Sequence, residues 1–515
     1  MDNNLIKKYF DELSKNRKPL ADALDNPALS GVKNSVVEKY SDQAHFIYEL
    51  LQNADDAKAT SVHFTLHTDK LIFAHNGTKR FSISNPATEA ADSENGALGD
   101  INAITSIGNS NKTSASIGKF GVGFKSVFQY TSKPCIYDPD IFFQIDRFIV
   151  PIPIVEDFPE RKPDETLFIF PFDNSLKSKE DACKDISAKL QSLKYPLLFL
   201  SCIENISFVI PDGTGSYGKK ILNKQQFGNT IIEYISLRKK CDDKTFNDKL
   251  CLFSRTSAKN HRYSAGFFIN QNNQLVENNS TAFCFFPTKE VTNLNFIIHA
   301  PFLLTDSRES IKARDNHNTD MINLLAALAA DSLLYLRDIG KNNNTKLIND
   351  NIFNIIPYNK NMFGGDDKST ISFKPFYESI LSKMSTAELL PTDTGFTSKD
   401  NAYWASVPKI TTLFTNKQLA KLSGNEKAKW VFASFGKNDV ERYNKALTEY
   451  IIKITHKSLD QKDIINGWRI PDNISGFYTH VIAGINSEFI EAQEISWLHS
   501  FYQWIGESKE RTGLI

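Results

Sequence analysis

Apolar positions recur at helical spacing in the first sixty residues. The clearest run sets Ala44, Phe46, Ile47, Leu50 and Leu51 on one face behind the helix-starting pair Ser41-Asp42. This predicts a helix over about 42–57. Alternation replaces that period in 60–67 and again in 70–75, with Thr68-Asp69 between them, the pattern of a hairpin. Helix followed by hairpin points to an α+β sandwich. Further strand-like runs lie at 141–145, 166–172 and 206–210, ahead of the break Pro211-Asp-Gly-Thr-Gly215. Apolar runs at 282–287 and 294–304 predict more sheet, and 321–336 predicts a buried amphipathic helix stopped at Gly340.

A chain of 515 residues has room for about three domains. The break near 215 and the clustering of all five tryptophans from Trp404 onward divide it into 1–215, 216–345 and an α-rich 346–515. Sixty basic residues balance sixty acidic ones, so any attraction to a polyanion is local. One stretch has such an excess: residues 219–262, opening at Lys219 and closing at Arg262, hold eleven Lys and Arg against four Asp and Glu. That stretch reads as a solvated, loop-rich face with the capacity to touch nucleic-acid phosphates. Six cysteines without a C-x-x-C pair give neither a zinc site nor a disulfide framework. No signal-like start and no membrane-length apolar window are present, which points to a cytoplasmic protein away from membranes.

Two elements carry chemistry. In Glu49-Leu-Leu-Gln-Asn53-Ala-Asp-Asp56-Ala57 the polar residues Glu49, Asn53 and Asp56 fall at i, i+4 and i+7 and share a helical face. A carboxylate can deprotonate water there, and a carboxamide oxygen about 6 Å further along is a hard ligand for Mg²⁺. The second element is Ile117-Gly118-Lys119-Phe120-Gly121-Val122-Gly123-Phe124-Lys125-Ser126. It belongs to a region, from Asn95 to Gly123, that holds six of the 24 glycines. Its G-x-x-G-x-G opens a helix-like stretch whose bare amides suit phosphate. It is neither a Walker A loop nor a dinucleotide fingerprint.

Together these elements resemble the Bergerat-fold (GHKL) ATPases, in the branch of sacsin and the ninety-kilodalton heat-shock chaperone. E-L-L-Q-N-A-D-D-A matches the first family motif and I-G-K-F-G-V-G-F-K-S-V-F the glycine-rich third. Ser106-Ile-Gly108-Asn-Ser110-Asn-Lys112 is similar to the lid segment, and Thr166 to the threonine of the last motif strand. The resemblance implies a Bergerat α/β sandwich over 1–215 that binds ATP with Mg²⁺ and hydrolyses it. Glu49 would be the general base and Asn53 the metal ligand, with Asp56 beside them. Gly118, Gly121 and Gly123 would hold phosphate with Lys112 and Lys119, flanked by Phe120, Val122 and Phe124. One motif departs: where most of the family has D-x-G-x-G, this chain reads His75-Asn76-Gly77. Either the Asn76 amide oxygen or a His75 nitrogen is then the partner of the adenine amine.

Downstream, Cys284-Phe-Phe-Pro-Thr288 and His299-Ala-Pro-Phe-Leu-Leu-Thr-Asp-Ser307-Arg308-Glu309 resemble the chaperone-type middle domain. The resemblance implies an α/β middle domain over 216–345 that brings Arg308 to the γ-phosphate. The whole then reads as an ATP-dependent conformational switch. It would serve as the ATPase of a bacterial antiviral defence or nucleic-acid-processing system with a partner protein, as a folding chaperone, or as a nucleotide-binding scaffold with little turnover. The chaperone branch dimerises, which adds a homodimer to the expectations.

Overall fold

The structure, a computed structural model, describes residues 3–29, 31, 44–107, 123–305, 309–363, 370–405, 408–435, 444–456 and 486–507. It divides into two compact units, one of Met1–Tyr263, Thr281–Glu290 and His299–Lys312, the other of Ser264–Ser280, Val291–Ile298 and Ala313–Ile515.

The Met1–Tyr263 part of the first unit carries the strands β1 (Ser61–Leu66), β2 (Lys70–His75), β3 (Cys135–Asp138), β4 (Ile141–Asp146), β5 (Val150–Pro153), β6 (Thr166–Pro171), β7 (Asn205–Ile210), β8 (Gly213–Phe227), β9 (Thr230–Cys241) and β10 (Lys244–Thr256). Their spatial order is β10-β9-β8-β7-β1-β2-β6-β3-β4-β5. Only β1 with β7 is parallel along this path; the remaining pairs are antiparallel, so the sheet is mixed. The expected hairpin is β1–β2, pairing Val62 with His75. Pro211-Asp212 is the turn of the next hairpin, and β8 pairs with β7 as far as Gly218. Gly215 lies opposite Phe208, and a Cβ there would come within 2.1 Å of the Phe208 ring, so glycine is what lets that ring cross the sheet.

One face of this sheet carries the main core. Phe10 and Leu13 of the helix Asn3–Leu24, Ile47, Leu50, Leu51 and Ala54 of the helix Phe46–Asp56, and Ile186 and Leu190 of the helix Lys179–Ser192 pack there on Phe73, Ile136, Phe143, Phe168 and Phe170. The other face has a smaller cluster of Ile72, Ala74, Tyr137, Leu167 and Ile169. Both faces of β2 and β6 are apolar, which is why these strands read as near-continuous hydrophobic runs.

The helix predicted over about 42–57 begins at Phe46. Ala44 sits at φ +52°, a left-handed turn through which a helix cannot run, and Ser41-Asp42 lie outside the described residues. Residues 219–262 were expected to be rich in loops and instead form most of three long strands.

In the second unit, β11 (Arg262–Ile269) pairs with β12 (Leu275–Val276). The long helix Asn316–Asn342 is capped by Asp315. It runs past Gly340 instead of stopping there. A Cβ at Gly340 would meet the Thr345 carbonyl at 2.8 Å, so glycine allows the chain to fold back against the helix. By length and composition alone this helix could cross a membrane, but Leu325, Leu328, Leu333 and Leu336 are wholly buried, as in a core helix. The described residues after 346 are mainly helical; those from Tyr403 onward include a cluster around Phe414, Trp430, Phe501 and Trp504, while Phe353 packs on Phe432 and Tyr450.

Candidate functional site

The helix Phe46–Asp56 buries Ile47, Leu50, Leu51 and Ala54 completely or nearly so, and this fixes its rotation. Glu49 is itself only 5% exposed, while Asn53 and Asp56 on the same face are half-buried. His45 stands one turn before Glu49, its Nε2 3.9 Å from Oε1. Gly123, which closes the glycine-rich segment, lies directly on this carboxylate: a Cβ there would be 1.9 Å from Glu49 Oε2. The 3₁₀ turn Phe124–Gln129 follows, buried through Phe124, Val127 and Phe128. Two ends of the sequence constellation, Glu49 and Gly123, are thus in contact.

The helix is anchored by a residue that sequence reading passed over. Asp55 is 2% exposed and accepts from the amides of Ser201, Cys202 and Ile203 at 3.0, 2.7 and 3.0 Å. Of the paired aspartates, Asp55 serves the fold and Asp56 shares the face of Glu49. Lys125 is also structural. It is fully buried and gives its Nζ proton to the Phe148 carbonyl at 2.6 Å, and burial holds its pKa well below the usual lysine range.

The turn after β2 docks on the end of the same helix. Thr78 and Lys79 donate their amides to the Ala57 carbonyl at 2.9 and 3.1 Å, and a Cβ at Gly77 would strike that oxygen at 2.8 Å. The Asn76 amide oxygen, offered by the sequence as an acceptor for a base, accepts from the Thr60 and Ser61 amides at 2.9 Å each. Its Nδ2 donates to Thr60 Oγ1 at 2.8 Å. This side chain ties the turn to β1.

His75 is 5% exposed, and its Nδ1 accepts from the Gly77 amide at 3.1 Å. Burial, aided by Arg80, pushes its pKa down to about 4. The ring is therefore neutral at pH 7, and with Nδ1 accepting, the proton sits on Nε2, which is a donor.

In register, His75 lies opposite Thr166, and Tyr137 opposite Leu167, which places Asp138 beside Thr166. All three side chains lie on the sheet face that carries Phe73, Ile136 and Phe168. Thr166 Oγ1 donates to Asp138 Oδ2 at 2.9 Å, both residues being fully buried, and burial raises the Asp138 pKa against the opposing effect of that hydrogen bond. Sequence reading missed Asp138, because a lone aspartate ending a short strand has no motif around it.

The downstream segment also meets this helix. Tyr48 stacks on Phe286 of the Cys-Phe-Phe-Pro-Thr sequence, ring centroids 4.5 Å apart. Glu309, next to Arg308, bonds its side chain to Lys289 at 2.6 Å and accepts from the Lys289 amide at 2.7 Å. Lys112, Gly118, Lys119, Phe120, Gly121, Val122 and Arg308 lie outside the described residues. No group of three or more His, Cys, Asp or Glu suited to a metal occurs among the described residues. Asn53, half-buried on the face of Glu49, offers a neutral carboxamide oxygen of the kind that magnesium accepts.

Residues 27–147 match the Sacsin domain family. The chain is 31% identical to Sacsin of Homo sapiens over 120 residues, 20% of this chain and 3% of that protein. It is 24% identical over 335 residues to Protein NO VEIN of Arabidopsis thaliana, 58% of this chain and 11% of that protein. The chain therefore spans a small part of the length of these curated relatives. The similarity is to the sacsin family, and the matched region holds Glu49, Asn53, His75, Asn76, Gly123 and Asp138 while ending before Thr166.

Proposed function

We propose that this chain binds ATP with Mg²⁺ and hydrolyses it to ADP and phosphate, using hydrolysis as a conformational switch. The observation that supports this reading most is the contact between Glu49 and Gly123, since it sets a buried carboxylate against the end of a glycine-rich segment. Glu49 accepts the proton of the attacking water. Asn53 holds the magnesium, which when bound neutralises phosphate charge. Backbone amides of Gly118, Gly121 and Gly123 bind phosphate with Lys112 and Lys119, and Arg308 stabilises charge at the γ-phosphate.

The base is read at the other end of the face. Adenine presents ring nitrogens that accept and an amine that donates. The His75 Nε2 proton suits a ring nitrogen, and the Asp138 carboxylate, oriented by Thr166, accepts from the amine. A carboxylate from β3 thereby replaces the aspartate that the H-N-G sequence lacks. The test is Mg²⁺-dependent ATP binding by titration together with single-turnover phosphate release. Binding and release both dependent on Mg²⁺ support the reading. Binding without release favours a second one, a nucleotide-binding scaffold.

A further inference from the structure

The eleven basic residues of 219–262 do not form one patch, because strands sort them onto two faces. Register places Lys220 and Lys249 on either side of Ser236, Gly218 and Asn247 on either side of Arg238, and Ser216 and Thr245 on either side of Lys240. These side chains share one face, and Lys220, Arg238, Lys240 and Lys249 are exposed on it, while Arg255, further along β10 on the same face, donates to Thr230 Oγ1 at 2.8 Å. The opposite face carries Lys219, Lys224, Lys239, Lys244, Glu233 and Asp248.

The two faces differ in how their charge is met. On the second, Glu233 pairs with Lys224 at 3.1 Å and with Arg262 at 2.9 Å, Lys219 donates to the Leu200 carbonyl at 2.5 Å, and Lys239 lies over the Tyr217 ring. On the first, Lys220, Arg238, Lys240 and Lys249 form no ion pair or side-chain hydrogen bond with any described residue, and β8, β9 and β10 place no carboxylate beside them. Asp248, next to Lys249 in sequence, belongs to the opposite face, and Asp242 and Asp243 lie in the turn after Lys240, where Asp242 accepts from the Thr214 amide. Arg238 lies across Gly218, its Nε 3.9 Å from where a Cβ would be, and Asn205 Oδ1 stands 3.6 Å from the same point, so the guanidinium is flanked there by an amide oxygen and by no carboxylate.

We infer that this face of β8, β9 and β10 binds the phosphodiester backbone of a nucleic acid. Strand geometry spreads the four cations over roughly 10 by 14 Å, a flat patch that spans successive phosphates and is not a cleft for a free nucleotide. Between the cations stand Ser216, Thr245 and Asn247, the hydroxyl and amide donors that commonly bind phosphate oxygens. A membrane surface is disfavoured, because the block of the four cations with Ser216, Gly218, Ser236, Thr245 and Asn247 holds no apolar side chain; the exposed Ile221 and Phe246 belong to the opposite face, and Phe227, opposite Thr230, lies on the cations' face only beyond the bulge at Ile221/Asn223. The inference is independent of the nucleotide reading.

The experiment is fluorescence anisotropy of the full chain with a labelled 20-mer, as duplex DNA, duplex RNA and single-stranded DNA, from 50 to 200 mM salt. Four phosphate contacts predict a slope of log affinity on log salt near −3.6 for the duplex. The quadruple variant Lys220→Ala, Arg238→Ala, Lys240→Ala, Lys249→Ala should bind at least tenfold more weakly at 50 mM salt with an unchanged thermal midpoint. Lys244→Ala, on the other face, should bind as the parent does. If no nucleic acid bound with this salt dependence, or the quadruple variant bound as well as the parent, the inference would be overturned. Loss confined to anionic vesicles in flotation would overturn it in favour of a membrane surface.

Discussion

Gly123 and Glu49 are in contact such that any side chain at 123 would push the carboxylate aside: its first carbon would lie 1.9 Å from the carboxylate oxygen. The glycine is a steric condition on the position of the carboxylate. Gly123→Ala should therefore displace Glu49 and lower the rate of ATP hydrolysis at least tenfold, measured as steady-state phosphate release. Near-normal turnover in that variant would mean that Glu49 moves without consequence.

Base recognition divides three residues by role. Asp138→Ala should weaken ATP binding at least tenfold in a titration, because it removes the acceptor for the amine. His75→Ala should weaken binding less. Asn76→Ala should chiefly lower stability, by about 1–3 kcal/mol in denaturant unfolding, since its carboxamide serves the Thr60 and Ser61 amides. An Asn76→Ala protein with normal stability and lost affinity would reverse the assignment.

Asp55 predicts a large effect on folding with no direct part in chemistry. Asp55→Ala removes a buried carboxylate from three amides and should cost about 3 kcal/mol or more, read as a fall in the denaturation midpoint. Asp56→Ala, one residue on, should be far milder in the same assay.

The helix and the hairpin were legible because each depends on local pattern: period for Phe46–Asp56 and alternation for β1 and β2. Asp138 was not legible, since its place beside Thr166 arises from pairing across 28 positions of sequence. The roles of Asn76 and Asp55 were hidden for a similar reason, as their partners are the backbones of strand and loop residues that carry no chemical signature. The unpaired cations of β8, β9 and β10 appeared only as a net excess, because one residue of register decides which face each occupies. Gly340 misled as a stop signal, its small size serving a close approach instead.

Two buried histidines make stability depend on pH. Burial pushes His299 down to about 3, with neither ring nitrogen hydrogen-bonded, and His75 down to about 4, from an ordinary 6.5. Below pH 6.5 the unfolded chain takes up these protons first. Their contribution is therefore complete above 6.5 and is lost as pH falls toward the folded values, by about 1.4 kcal/mol per histidine per pH unit. Thermal midpoints should drop from pH 7 to pH 5, and His299→Phe, which keeps the stacking on Phe199, should flatten that drop. An equally steep drop in His299→Phe would assign it to other groups.

The account rests on Glu49 as the base in an ATP site, and one paired measurement addresses it most directly. ATP affinity and the rate of phosphate release at saturating Mg-ATP are compared between the parent chain and Glu49→Gln. An amide keeps the shape of the carboxylate but does not take a proton from water, so release should fall by about 10² to 10⁴ while affinity stays within a few fold. Phosphate release by Glu49→Gln at close to the parent rate, or a parent chain that binds no ATP, would contradict it.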